Sequence, residues 1–189
     1  MQSIDLIFIP LWAGFYIYWL VSAYMTRSTI KRRHSRLSFL SSGIVWVVIA
    51  LIAVELVSPD ILGARILPSS IWLSLVGLII TVAGLGFAVW ARVHLGKNWS
   101  MMPAIRIEHT LTRTGPYRYV RHPIYTGLIL ALLGTAIGIG YLWVFFGVVL
   151  AIVMFVIKFR LEEQILEGEF GAKYAEYKKE VKALIPYVI

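Results

Sequence analysis

The sequence predicts an all-α, polytopic membrane protein of about five transmembrane helices, with the N-terminus outside and the C-terminus cytoplasmic. Three observations carry that reading. The first is composition: 59% of residues are hydrophobic and only 15% charged, with a mean hydropathy of +0.79, against about 25% charged in an average soluble domain. The second is a series of apolar runs of spanning length separated by polar stretches. The third is the placement of charge. Of the Lys and Arg residues, 5 fall in the first polar stretch, 1 in the second, 6 in the third, none in the fourth and 6 in the tail. Seventeen of 18 therefore lie on one side of an alternating topology. Basic loops stay cytoplasmic, so the chain starts outside, ends inside and crosses an odd number of times. With 189 residues, a single membrane domain 1–189 is expected: a three-span scaffold over 1–90 and a catalytic part over 91–189.

In chain order, the first span covers residues 4–25 and is rich in Trp and Tyr. Asp5, at its start, is the only charged residue there, which does not fit a cleaved signal peptide with its basic leader, so this span is expected to be retained. A basic stretch with Lys31, Arg32 and Arg33 leads to a second span over 39–57, in which Glu55 stands close enough to the end to reach the headgroups. Pro59, Gly63 and Pro68 punctuate the next connection. The third span covers 71–93, where Gly77, Gly84 and Gly86 permit close helix approach. From His94 to Pro123 the chain is mostly polar yet holds Trp99, Met101 and Met102, too apolar for disorder; such a long connection is expected to fold over something. Residues 124–157 are apolar throughout, too long for one span of ~20 residues and right for a hairpin of two. Gly134, Gly138 and Gly140 are the expected turn. In the tail, 158–189, apolar residues from Leu161 to Leu184 recur at steps of three to five, the pattern of an amphipathic helix lying against the membrane or the bundle.

Chemistry concentrates in the stretch from Gly115 to Gly127, which reads GPYRYVRHPIYTG and runs straight into the fourth span. Pro123 steers His122 away from helical angles and suits the first turn of a helix, which places Arg121 and His122 at a helix start where unpaired N–H groups attract anions. An ordinary basic cap at the lipid headgroups is the competing reading. The hairpin has a further consequence: it returns the chain to the cytoplasmic face near Lys158, making Arg121 and His122 neighbours of Glu162 and Glu163. Carboxylates accept hydrogen bonds from a ribose or an ammonium, and arginine holds a carboxylate, so this cluster suits a polar cofactor as well as a solvated face.

Three separated motifs, LGKNWS from Leu95 to Ser100, GPY through RHPIYTG from Gly115 to Gly127, and Glu162-Glu163 followed by Phe170-Gly171, Tyr174, Tyr177 and Ile185-Pro186, together resemble the isoprenylcysteine carboxyl methyltransferase family, within the wider phospholipid methyltransferase superfamily. The resemblance covers about residues 90–189. It implies an S-adenosylmethionine-dependent membrane methyltransferase whose cofactor enters from the cytoplasm and whose lipophilic substrate enters from the bilayer. By the same resemblance His122, Pro123, Tyr125, Glu162 and Glu163 line the cofactor site, Tyr174 and Tyr177 close over it, Arg121 stands near the acceptor, and Asn98 and Trp99 lie where cofactor and substrate meet. One local departure is that relatives often carry an arginine about four residues before the paired glutamates, where this chain has Lys158, with Arg160 two residues on.

Methyl transfer to a carboxylate needs alignment and exclusion of water rather than a base, because a carboxylate is already ionised near neutral pH. An amine acceptor, as in a phospholipid, would have to lose a proton and would give His122 or a glutamate a base role. A membrane reductase of the sterol type is another reading, but a nicotinamide cofactor's diphosphate calls for more basic groups than a sulfonium, and Glu162-Glu163 favour the sulfonium. A non-catalytic helical scaffold, in which the polar cluster only anchors the bundle, is the last reading. With no cysteine, the sequence excludes disulfides and thiolate chemistry; the four histidines lack ligand spacing, so no metal is expected. The charge of +8 falls to membrane lipids and topology rather than to nucleic acid. No sequence feature specifies an oligomeric state.

Overall fold

A computed structural model describes residues 6–25, 30–33, 64–96, 104–106 and 111–187. Its elements are α1 (Phe8–Met25), β1 (Ile30–Arg33), α2 (Ile71–Leu95), β2 (Ala104–Arg106), a 3-10 turn (Gly115–Arg118), α3 (Pro123–Ile139), α4 (Leu142–Phe170) and α5 (Ala172–Glu180). Helices α1, α2 and α4 are long and apolar enough to cross a membrane, and α3 is a shorter apolar helix of 17 residues. The expected second span, 39–57, lies outside the described residues, as does Glu55.

Helices α2 and α3 are joined backbone to backbone. A Cβ built on Gly77 would meet Gly134 O and Gly138 N at 2.5 Å, and one on Gly127 would meet Gly84 O at 2.6 Å. Lipid tails are as apolar as leucine, so close packing of small residues has to supply what hydrophobic burial supplies in water. Polar side chains stitch the same seam: Thr81 Oγ1 donates to Gly77 O at 2.8 Å, Thr135 Oγ1 donates to Ala131 O at 2.9 Å, and the two hydroxyls are 3.2 Å apart. Trp12 Nε1 of α1 donates to Thr135 Oγ1 at 3.0 Å, tying α1 to the pair.

Two expectations need correction. Of the glycines placed at the hairpin turn, only Gly140 is there, at φ +76; Gly134 and Gly138 lie inside α3, against α2 and Phe8 respectively. Gly140 O accepts from Ile66 N at 2.9 Å, so the turn is pinned by the connection that precedes α2. The amphipathic helix expected from Lys158 onward is the second. Between Ile157 and Phe170 the weak helix former is Gly168, outweighed by Leu, Glu and Gln, which favour the helix, so α4 continues unbroken to Phe170 before Gly171 turns the chain at φ +52. At 1.5 Å per residue α4 is roughly 43 Å long, more than the ~30 Å of hydrocarbon, so its charged last third projects beyond the apolar layer.

Among the described residues, β1 and β2 pair antiparallel, with Ile30 opposite Arg106 and Arg33 opposite Ala104. That pairing joins the first polar stretch to the third. Val120 pairs in parallel with Lys182, which joins the third stretch to the tail. At the other end Arg65 pairs with Tyr141, joining the second connection to the fourth. These pairings join the first and third stretches and the tail to one another, and the second connection to the fourth. Beneath the Val120–Lys182 pairing, Tyr125, Phe155, Phe159, Ala183 and Leu184 form a buried cluster that seats the tail against α3 and α4.

Candidate active site

The polar end of α3 is built by two local devices. Pro123 occupies the first helical position and is fully buried, with His122 before it at φ −122, ψ 59. The tail then runs alongside: Arg121 N donates to Lys182 O at 2.8 Å, His122 N to Ala183 O at 2.9 Å, and Thr126 Oγ1 to Leu184 O at 2.8 Å. These bonds hold the Arg121 and His122 side chains toward the projecting third of α4.

There they meet the paired glutamates. Arg121 donates to Glu163 Oε1 through Nε at 2.8 Å and Nη2 at 2.7 Å, and His122 Nε2 lies 3.1 Å from the same oxygen. Arg121 Nη1 donates to Lys178 O at 3.4 Å and to Val181 O. Glu163 Oε2 is held from another side by Lys178 Nζ at 3.0 Å, which also reaches Glu167 Oε1 at 2.8 Å. Those two carboxylates hold the Lys178 pKa above the ordinary lysine value, with Glu167 contributing most. Glu162 faces a different neighbour: Tyr125 OH donates to Glu162 Oε1 at 2.7 Å. Aromatic rings floor the cluster, with His122 stacked on Phe159 at 5.0 Å and Tyr125 on Phe155 at 5.3 Å.

Helix α5 covers this floor. Tyr177 OH donates to Tyr117 O, and the Arg113 guanidinium lies 5.2 Å from the centre of the Tyr177 ring while pairing with Glu180. Tyr174 is 1% exposed, and its hydroxyl has no hydrogen-bond partner among the described residues. Burial, followed by the Glu163 carboxylate, pushes the Tyr174 hydroxyl far above its ordinary pKa, so it remains a neutral donor. Burial does the same to Tyr117, whose hydroxyl senses Glu162 on one side and Arg92 on the other.

The structure therefore brings together Arg121, His122, Pro123, Tyr125, Glu162, Glu163, Tyr174 and Tyr177. Asn98 and Trp99 lie outside the described residues. Between the two basic candidates ahead of the glutamates, Lys158 faces the site, its ammonium 5.7 Å from the centre of the Tyr125 ring, and Arg160 is exposed. Sequence reasoning missed Lys178, Tyr117 and Phe159. Lys178 left one usable signal: it sits four residues after Tyr174, on the same helical face. Among the described residues no group of His, Asp and Glu is arranged to hold a metal ion.

Comparison with known proteins identifies the family. Residues 72–173 match the family model for phospholipid methyltransferases. The chain is 32% identical over 121 residues to protein-S-isoprenylcysteine O-methyltransferase of Xenopus laevis, covering 62% of this chain and 42% of that one. It is 30% identical over 131 residues to the Homo sapiens protein of that name, again 62% and 42%. The Schizosaccharomyces pombe protein is 34% identical over 110 residues, covering 52% and 43%. The chain spans about half the length of the curated relatives it matches. The fold resembles the solved structure of a eukaryotic intramembrane Ras methyltransferase, isoprenylcysteine carboxyl methyltransferase, at a TM-score of 0.57 and 24% identity, over 84% of this chain and 55% of that one. With more than half of its residues matched by the family model, the chain belongs to the phospholipid methyltransferase family.

Proposed function

We propose that the protein is an integral membrane methyltransferase that moves a methyl group from S-adenosylmethionine to a lipophilic acceptor, a carboxylate of the prenylcysteine type, at a site facing the cytoplasm. The observation that carries the reading is the enclosure of Glu162 and Glu163 between the start of α3 and the cover of α5, at the end of the bundle where the apolar parts of the helices stop. The charge bias of the loops assigns that end to the cytoplasm.

The residues present fit such a cofactor. Two carboxylates accept from hydroxyl and amino groups, and the buried Tyr174 hydroxyl lacks a partner among the described residues, as expected of a donor reserved for a ligand. When bound, S-adenosylmethionine supplies an electrophilic methyl on a sulfonium. Glu162 and Glu163 hold polar groups of the cofactor, with His122, Pro123 and Tyr125 beneath and Tyr174 and Tyr177 above. By the family resemblance, Asn98 and Trp99 are assigned to the junction of cofactor and acceptor. Arg121 serves chiefly by fixing Glu163: its bonds to Glu163 and to the Lys178 and Val181 carbonyls leave one Nη2 hydrogen for the acceptor. A diphosphate cofactor finds less here, since Arg121 and Lys178 are both engaged by carboxylates.

One competing acceptor has an observation in its favour. With the Arg121 fork turned toward Glu163, a phospholipid amine would meet a site richer in carboxylate than in cation. Radiolabelled S-adenosylmethionine, offered with a prenylcysteine analogue and with phosphatidylethanolamine side by side, separates the two. Label entering the carboxylate compound is expected. Label entering only the amine lipid overturns the acceptor, and label entering neither, together with no calorimetric binding of S-adenosylmethionine, overturns the methyltransferase reading.

A further inference from the structure

The two oxygens of Glu163 are held very differently. Oε1 takes Arg121 Nε, Arg121 Nη2 and His122 Nε2 at 2.8, 2.7 and 3.1 Å. The Arg121 and His122 side chains are 9% and 6% exposed, so that oxygen belongs to a buried, built-in network. Oε2 meets the Lys178 ammonium, at the end of a side chain 35% exposed and shared with Glu167. Lysine is a point charge on a flexible four-carbon stem, able to move without dismantling anything else. Next to this exchangeable pair stands the buried Tyr174 hydroxyl, within electrostatic reach of Glu163 and without a partner among the described residues.

We infer that the Glu163–Lys178 ion pair is the receptor for an α-amino-acid zwitterion, which inserts between the two side chains, its ammonium on Glu163 Oε2 and its carboxylate on Lys178 Nζ, with Tyr174 OH completing the contact. Electrostatics favour insertion over displacement. A ligand carrying only a positive charge would evict Lys178 from Glu163, and one carrying only a negative charge would strip Glu163 of a partner; a zwitterion leaves every charge paired. The inference rests on the methyltransferase reading and names which groups take the amino-acid end of the cofactor. It makes Lys178 a binding residue.

The test is isothermal titration of the full chain in detergent with S-adenosylhomocysteine, with methylthioadenosine, which lacks the amino-acid end, and with two homocysteine analogues, one without the carboxylate and one without the amino group. Lys178→Met is expected to weaken S-adenosylhomocysteine roughly tenfold or more, the loss of one charge-assisted bond. It should leave methylthioadenosine and the carboxylate-free analogue unchanged. Glu163→Gln should spare the amine-free analogue instead, and Lys178→Arg should retain most of the affinity. A merely structural Lys178 would weaken all four ligands alike, and that result, or unchanged S-adenosylhomocysteine binding in Lys178→Met, overturns the inference. Failure of the wild type to bind any of the four would instead overturn the cofactor reading on which it rests.

Discussion

Helix α3 has two interfaces of opposite character. Along its length it touches α2 through backbone and hydroxyls, with glycines so close that a single methyl group would collide with the opposite main chain. At its first residue it meets α4 and α5 through charges, several of them on long side chains that reach solvent. The first interface has no slack and no exchangeable part. The second is built from pairs that a polar ligand is able to rearrange. Lipid offers no hydrophobic force to restore helices that have drifted apart, so an interface with exchangeable parts has to be anchored to one without them.

The largest effect is expected where the close seam is broken. In Gly134→Val the new Cβ lies 2.6 Å from Thr81 N and 2.7 Å from Gly77 O, and the chain should no longer elute as a single species from a sizing column. Gly86→Val, on the same α2 but with nothing within 4 Å of its Cβ position, should elute like the wild type. If both behave alike, the seam is not what holds α3.

Next comes the polar interface. Arg121→Ala leaves Glu163 Oε1 without its two-point contact and frees the carbonyls of Lys178 and Val181. Truncating one member of a buried pair costs about 3–5 kcal/mol, expressed here as faster amide exchange across residues 171–184 with α2 and α3 still protected. Exchange rising equally in all helices would mean that the two interfaces are one cooperative unit. Arg121→Lys keeps the charge and loses the two-point contact with Glu163, so S-adenosylhomocysteine binding and turnover should fall together, by less than in Arg121→Ala.

Smaller effects probe single bonds. Tyr177→Phe removes the donor to Tyr117 O and should lower stability by about 1 kcal/mol, read from the melting temperature, with the change in exchange confined to α5. Thr135→Val deprives Trp12 Nε1 of its acceptor and should cost roughly 0.6 kcal/mol, typical of a hydrogen bond between membrane helices. A larger loss at Thr135 than at Tyr177 would reverse the ranking of the two interfaces' hydroxyls.

The meeting of His122 with Glu162 and Glu163 was legible in the sequence for a physical reason. Pro123 fixes where one helix starts, and an apolar run too long for one crossing must fold back and deliver whatever follows it to the same end. The turn itself was less legible, because glycine serves both a left-handed turn and a helix face pressed against another backbone. Gly140 does the first, and Gly134 and Gly138 do the second. The continuity of α4 escaped as well, since charges after an apolar run mark the end of a span without marking the end of a helix. Lys178 was the hardest to see. It sits in a doublet with Lys179, and only tertiary structure distinguishes the one that reaches Glu163 from the one left exposed.

The parallel pairing of Val120 with Lys182 has a consequence for how the protein is made. Arg121 and His122 reach Glu163 directly, but the backbone bonds that fix them, to the Lys182 and Ala183 carbonyls, form only once the tail has been synthesised. A nascent chain arrested before residue 181 should already hold a protease-resistant α2–α3 pair and lack any affinity for the cofactor.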